Sequence, residues 1–289
     1  MFTALTLTLL AQTGASVELQ PGSAHPGEAV LIVVRGSTRE PSGSLGGDPL
    51  DFFDYHGTYL ALASLRVDQV EGSLPLAVRL VTQGREQDVG GQLDVLPPDF
   101  RHRTLTVAPR FISPSKAQQR QMKEDQRAFD EAFDQDRVGP MFDDDFEWPR
   151  PAEVTAPFGD IRLYNGKKTN QHFGTDIDGS TGDPIFASNE GEVVMQRPCY
   201  GSGNTVVLFH GLGLFTAYFH LSRFDVKVGD HVDQGQRLGL VGMTGRVTGP
   251  HLHFGAKIHG RWVNAESVLR LHFPPGTAPS ETPSLTPGL

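Results

Sequence analysis

Two histidine patterns in the second half of the chain could bind a metal ion. His172 and Asp176 are four residues apart with Gly174 between them, and His251 and His253 are two apart in an apolar segment. On a strand, side chains two residues apart project from the same face, so both rings of the second pair would point into one site. Zinc accepts imidazole nitrogen and carboxylate oxygen, and a catalytic zinc site keeps one position for water. The residue types therefore fit a catalytic zinc site.

A further histidine, His220, ends the apolar run Thr216–Phe219, and it would face the same site only if the strand register permits. The other seven histidines lie in polar segments or beside glycines, and we predict that they are surface residues: His25, His56, His102, His210, His231, His259 and His272. His-x-His and His-x-x-x-Asp are each weak signals when they stand alone. Their context is therefore decisive.

Three longer motifs supply that context. They are His-Phe-Gly-Thr-Asp-Ile at 172–177, Tyr-Phe-His-Leu at 218–221, and Gly-Gln-Arg-Leu-Gly-Leu-Val-Gly-Met-Thr-Gly at 235–245 followed by Thr-Gly-Pro-His-Leu-His-Phe at 248–254. Together they resemble the lysostaphin-type, or M23, family of metallopeptidases, in the order and approximate spacing of that family. The resemblance covers roughly residues 155–265, less than half of the chain.

The resemblance implies a role for each matching residue. His172 and Asp176 match the first two zinc ligands of the family, and His253 matches the third. His220 and His251 match the two histidines that activate the water and stabilise the tetrahedral intermediate. Which of the two is the general base is left open. The implied cofactor is one zinc ion per chain.

The implied function is that of a zinc metalloendopeptidase that hydrolyses peptide cross-links of bacterial peptidoglycan. The alternative is a non-catalytic envelope protein that binds peptidoglycan or regulates another hydrolase. The complete set of five matching residues argues against that alternative. The bond that is cut is left open, because the loops around a groove decide it.

Composition favours short strands over long helices. The chain of 289 residues contains 33 Gly and 21 Pro and is 38% hydrophobic, which is typical of a soluble protein with many turns. Its length allows two compact domains. The single cysteine, Cys199, excludes an intrachain disulfide and a multi-cysteine zinc site.

The net charge of −9 resides entirely in the first half of the chain. Residues 1–149 carry 13 basic and 22 acidic side chains, whereas residues 150–289 carry 12 of each. Ten of the acids lie between Glu124 and Glu147, where they would repel nucleic acid phosphates. We therefore expect no nucleic acid partner, and the resemblance implies a peptidoglycan peptide as the partner.

The pattern of strands and turns predicts a mainly β protein in five segments. They are a signal peptide at 1–15, an immunoglobulin-like β-sandwich at 16–97, a strand and acidic helical linker at 98–149, an antiparallel β peptidase domain of the lysostaphin type at 150–273, and a disordered tail at 274–289. A buried first strand is the alternative for the opening segment. The β-sandwich is interpreted as a spacer. A signal peptide would place the protein in the periplasm, cell envelope or extracellular space, without a membrane span after processing. The oligomeric state is left open, with a monomer favoured.

The linker is predicted to contain a strand over Thr104–Val107 and a helix to about Arg137. Ser115 and Gln118 have the spacing of a capping box, and Met122, Phe129 and Phe133 form one apolar stripe. Two interpretations of this acidic segment are open. It is a solvated linker, or it shields the groove until it is removed.

Overall fold

The computed structural model describes residues 6–10, 14–105, 114–166 and 168–274. Within these residues the protein is mainly β, with two helices. The first ten strands are β1 (Leu7–Leu10), β2 (Ser16–Gln20), β3 (Ser23–Ala24), β4 (Ala29–Arg35), β5 (Ser42–Leu45), β6 (Asp48–Pro49), β7 (Phe53–Tyr55), β8 (Thr58–Ser64), β9 (Gly72–Thr82) and β10 (Arg85–Val95).

The later elements begin with β11 (His102–Leu105) and helix α1 (Lys116–Phe133). They continue with β12 (Val154–Ala156), β13 (Ile161–Tyr164), β14 (Lys168–Gln171), β15 (Thr175–Asp178), β16 (Pro184–Phe186), β17 (Gly191–Cys199), β18 (Gly203–Phe209), β19 (Leu214–Leu221), β20 (Arg223–Phe224), β21 (His231–Val232), β22 (Arg237–Leu240), β23 (His251–Ile258), β24 (Arg261–Val263) and α2 (Ala265–Val268).

The N-terminal part consists of two five-stranded sheets with the strand orders β1-β2-β4-β8-β7 and β3-β10-β9-β5-β6. Apolar residues from both sheets form one core between them, including Leu19, Ile32 and Leu80, which have no exposed surface. Strand β4 is a continuous apolar run because both of its faces are buried. Ile32 faces the core between the two sheets, and its neighbour Leu31 belongs to a second core.

The C-terminal part is built on an eight-stranded sheet with the order β12-β15-β23-β19-β18-β17-β21, to which β24 is added beside β23. Strand β19 is buried along its whole length. Tyr218 faces the second core, and its neighbours Ala217 and Phe219 face an aromatic cluster under α1. Two three-stranded sheets, β11-β13-β14 and β16-β22-β20, complete this part.

The second core is shared by the N-terminal and C-terminal parts. Phe142 and Phe146, from the segment between α1 and β12, pack edge-on against each other, and both belong to this core together with Phe273. The backbone N–H of Ala29 also donates to Ser267 Oγ at 2.9 Å. The two parts are therefore packed on each other, although the sequence predicts a linker between them. The domain boundaries themselves stay a prediction.

Helix α1 begins at the predicted capping box. Ser115 Oγ accepts from the backbone N–H of Gln118, whose side chain accepts from the backbone N–H of Ser115. The helix ends at Phe133, four residues before Arg137, with Asp134 as its C-cap residue. Met122 does not join Phe129 and Phe133 in packing and is 43% exposed.

Several expectations about the chain ends lie outside the described residues. Residues 275–289 of the predicted tail and residues 106 and 107 of the predicted strand are among them. Of the opening segment, Leu7–Leu10 is described, as a partly exposed strand that pairs antiparallel with β2. The signal peptide stays a prediction. In the part of the chain that the structure describes, neither helix combines the length and the apolar character that a membrane span requires.

The shared core predicts that both parts of the protein unfold together. Phe142 is 2% exposed, so Phe142→Ala should lower the free energy of unfolding by about 3–5 kcal/mol. The measurement is denaturant unfolding followed by circular dichroism and tryptophan fluorescence, in which both signals should shift within a single transition. Val70→Ala, at a side chain that is 75% exposed, serves as control with an expected change within about 0.5 kcal/mol. Two separate transitions, of which only one shifts, would contradict the shared core.

Candidate metal centre

The register between β15 and β23 places two predicted ligands side by side. Asp176 is directly opposite His253 in this antiparallel pair. Both side chains project from the face of the sheet opposite to the shared core, because they alternate with Ile177 and Leu252, which are buried in that core. His172 precedes β15, and its backbone N–H donates to the carbonyl of Asp160. A sheet register and a short connection thus bring the three residues together.

Three ligand atoms converge at this point. His172 Nε2 lies 3.0 Å from Asp176 Oδ1 and 3.0 Å from His253 Nδ1. The third distance, from His253 Nδ1 to Asp176 Oδ1, is 2.7 Å. Among the described residues, these three form the one group of histidine, cysteine and acidic side chains whose ligand atoms are close enough to share an ion.

The hydrogen bonds around the group leave too few protons for its three acceptor atoms. His172 Nδ1 donates to the carbonyl of Pro157 at 2.9 Å, so the neutral ring has no proton on Nε2. That bare nitrogen faces both the Asp176 carboxylate and His253 Nδ1. A proton on His253 Nδ1 could satisfy one contact but not all three. A metal cation at this point would satisfy them together, so the donor set fits a metal.

The protonation states also suit a metal. Burial alone would raise the pKa of Asp176, but the close imidazole rings of His172 and His253 hold it well below its usual range. Burial lowers the pKa of His253 despite the neighbouring carboxylate. A charged carboxylate and a neutral imidazole are the forms that coordinate metals.

Gly174 is required where the chain passes this site. A Cβ atom at this position would lie 2.5 Å from ring atoms of His253 and 2.9 Å from the carbonyl oxygen of Phe254. These distances are shorter than side chains tolerate, so only glycine allows the segment between the first two predicted ligands to lie against the third.

The other two predicted site residues lie beside the three. The ring centroids of His220 and His251 are 5.1 Å apart, and His220 is 6.0 Å from His253. His220 follows Phe219, which pairs with His253 in the register of β19 and β23. His251 Nε2 lies 3.6 Å from Asp176 Oδ1. The structure therefore brings all five residues to one place.

Both additional rings are oriented by a backbone carbonyl. His220 Nδ1 donates to the carbonyl of Thr244 at 2.8 Å, and His251 Nδ1 donates to that of Gly249 at 3.0 Å. In its neutral form, each ring therefore keeps an unprotonated Nε2. Burial, together with the nearby His253 and His251, lowers the pKa of His220 to about 3, so this ring is neutral near pH 7.

The five residues line a cavity of about 600 Å³ between two walls. One wall is the β13–β14 hairpin, which contributes Arg162 and Asn170. The other wall is α1, from which Gln126 and Phe129 face the cavity. A groove of this kind can hold an extended peptide beside the candidate metal centre.

Helix α1 is fixed along this groove by a buried carboxylate. Asp125 is 6% exposed and accepts from Arg197 Nη2 at 3.0 Å and from the backbone N–H of Tyr200 at 2.7 Å. Nearby, the Phe133 ring packs edge-on against Phe215 and Trp262. One face of the acidic segment is therefore packed, not solvated.

The prediction of seven surface histidines is wrong for His210, which has no exposed surface. Its Nε2 lies 2.7 Å from Thr216 Oγ1, its Nδ1 contacts the carbonyl of Glu190, and burial lowers its pKa to about 4. The glycine after His210 does form a turn, but the chain around Phe146 packs over it. A turn signal does not show what covers the turn. His25 is partly exposed, and the remaining five are exposed.

Sequence reasoning missed Arg162. Its Nη2 donates to Asp176 Oδ2 at 3.0 Å. An arginine in a short strand has no pattern that marks such a contact, because the partner is 14 residues away in another sheet.

The convergence of three acceptors predicts metal binding that depends on each of them. The intact chain should bind about one zinc ion, and His253→Ala should lose most of the affinity because two ligands remain. Metal content after equilibrium dialysis, measured by atomic emission, checks this. His231→Ala, at an exposed position of β21, is the matched control and should bind like the unaltered chain. Equal zinc content in the His253 and His231 variants would contradict the site.

Comparison with known proteins finds similarity to peptidases in the region that contains the five residues. Residues 170–265 match the model of peptidase family M23. Over 113 residues the chain is 46% identical to the peptidoglycan DD-endopeptidase ShyA of Vibrio cholerae, a match that covers 39% of this chain and 26% of the relative. Over 116 residues it is 40% identical to the DD-carboxypeptidase/endopeptidase Mpg of Neisseria meningitidis, covering 40% and 26%. The chain thus spans about a quarter of the length of these curated relatives.

The fold is shared over most of the chain with a solved structure. A crystal structure described as a peptidase M23 from Pseudomonas aeruginosa superposes with a TM-score of 0.61 and 22% sequence identity. The match covers 84% of this chain and 94% of that one, so it extends well beyond the region around the five residues.

Proposed function

We propose that the protein, whose residues 170–265 match the model of peptidase family M23, is a zinc metalloendopeptidase that hydrolyses peptide cross-links of bacterial peptidoglycan. The observation that carries the proposal is the convergence of His172, Asp176 and His253 on one point, beside two further histidines in a groove. Two relatives whose names state peptidoglycan or DD-peptidase activities support the substrate class.

In this proposal His172, Asp176 and His253 hold one zinc ion. When bound, zinc would lower the pKa of a water molecule and polarise the scissile carbonyl. His220 and His251 would act on protons, because each has Nδ1 committed to a backbone carbonyl and Nε2 available to the substrate. One ring would take the proton of the attacking water at Nε2 and later give it to the leaving amine, and the other, in its protonated form, would donate from Nε2 to the carbonyl oxygen as its charge develops.

The rest of the protein is assigned by the same reasoning. The two N-terminal sheets would be an immunoglobulin-like accessory domain, and a peptidoglycan substrate would place the protein in the cell envelope after export. A protein that only binds peptidoglycan would need the groove but not the two additional histidines. The presence of both rings, each held by a hydrogen bond, favours catalysis over binding alone.

Cleavage of purified sacculi tests the proposal. The zinc-loaded chain should release fragments with new peptide termini, which mass spectrometry identifies together with the bond that is cut. His220→Ala should lower the rate by about 10²- to 10⁴-fold, because it removes a proton-transferring group, while its zinc content stays unchanged. His231→Ala should cleave like the unaltered chain. If the zinc-loaded protein releases no new termini from any wall type, the binding-protein alternative is correct.

The shielding hypothesis for α1 predicts a gain of activity when the helix is loosened. Asp125→Ala removes the carboxylate that binds Arg197 and the Tyr200 backbone, so the helix should leave the groove more often and sacculi should be cleaved several-fold faster. Glu124→Ala, at an exposed position one residue earlier in the helix, is the control. An unchanged or slower rate in the Asp125 variant, with thermal unfolding showing an intact fold, would end the hypothesis.

A further inference from the structure

The carboxylate of Asp176 uses its two oxygens for two different partners. Oδ1 faces the two histidines at 3.0 and 2.7 Å, whereas Oδ2 accepts from Arg162 Nη2 at 3.0 Å. The side chain of Asp176 is 14% exposed and that of Arg162 is 17% exposed, so water competes little for this ion pair. The two sides of the carboxylate are thus divided between the candidate metal centre and a guanidinium.

The ion pair connects two separate sheets. Arg162 belongs to β13, which forms a hairpin with β14, whereas Asp176 belongs to β15 of the eight-stranded sheet. The hairpin is also one wall of the cavity. Arg162 therefore couples the position of that wall to the orientation of a proposed ligand.

A carboxylate needs such a partner because rotation about its last bond is soft, with broad and roughly two-fold minima. With Oδ2 held by a planar guanidinium, the carboxylate plane is fixed and Oδ1 alone is directed at the histidines. The guanidinium also has an opposing effect, since its positive charge repels a cation nearby. Groups that orient metal ligands in this way commonly contribute about 10- to 100-fold to metal affinity or activity, which indicates that orientation prevails.

We propose that Arg162 is a positioning residue that fixes the Asp176 carboxylate for binding a metal through Oδ1. This inference rests on the proposed zinc function. It assigns Arg162 no contact with the reacting atoms, although the side chain lines the cavity. A direct contact between Arg162 and a substrate carboxylate is the competing role, and the two roles differ in what they do to the protein without substrate.

The test measures zinc affinity of the full chain by competition with a chromophoric chelator, with Zn²⁺ as the probe and no substrate present. Arg162→Met should weaken zinc binding about 10- to 100-fold. Arg162→Lys should recover part of the loss, because an ammonium can still donate to Oδ2 but lacks the planar fork. The visible spectrum of the Co²⁺-loaded chain should change in Arg162→Met, because the carboxylate adopts a different coordination.

The control is Arg103→Met, which removes a neighbouring ion pair from the same sheet. Arg103 lies directly opposite Arg162 in the parallel pair of β11 and β13, and its Nε lies 3.0 Å from Asp160 Oδ2. The zinc affinity and the Co²⁺ spectrum of the Arg103→Met variant should match those of the unaltered chain. A loss of equal size in the Arg103 and Arg162 variants would mean that Arg162 only stabilises the sheet, and would overturn the proposal.

Two further outcomes would overturn it. Zinc affinity that is unchanged or higher in Arg162→Met would show that orientation contributes nothing or that charge repulsion prevails. Unchanged affinity with a raised KM for soluble peptides would assign Arg162 to substrate binding, and the zinc peptidase function would stand. An unaltered chain that binds no zinc would instead remove the proposed function, and the role of Arg162 with it.

Discussion

The central constraint on the site is that its three acceptor atoms repel one another electrostatically although they lie only about 3 Å apart. His172 Nε2, Asp176 Oδ1 and His253 Nδ1 cannot all be paired by the protons available to them, so they remain together only if the fold forces them to or a cation joins them. The fold does force them, through the register of β15 and β23 and the hydrogen bond of His172 to Pro157. A cation that joins the three atoms would remove this repulsion.

Rigid surroundings are required to hold the three ligand atoms this close together. The strands that carry the site have their opposite face in a core that also contains residues of β4 and β8 from the N-terminal part. Phe142, in the segment between α1 and β12, belongs to the same core. The N-terminal sheets thus support the sheet that carries the site, and a description of them as a spacer leaves out this packing. On the other face, α1 and the aromatic residues beneath it border the groove directly.

The sequence was informative where a local rule determines the outcome. Residues two apart on a strand share a face, so His251 and His253 could be placed together, and the spacing of Ser115 and Gln118 marked the start of α1. It was uninformative where the outcome depends on what packs from elsewhere in the chain. The burial of His210 and the packing of Phe142 are set by tertiary contacts, as is the ion pair of Arg162. Met122 has the right helical spacing but lines the cavity and stays 43% exposed.

The absence of a side chain at position 174 limits which substitutions this part of the site can accept. The imidazole of His253 occupies the volume that even one methyl group at position 174 would need, and the Phe254 carbonyl closes the other side. Even alanine or serine at this position would therefore have to displace the ring or the Phe254 backbone. The ring at position 253 and the glycine at position 174 therefore depend on each other, although they are 79 positions apart in the sequence.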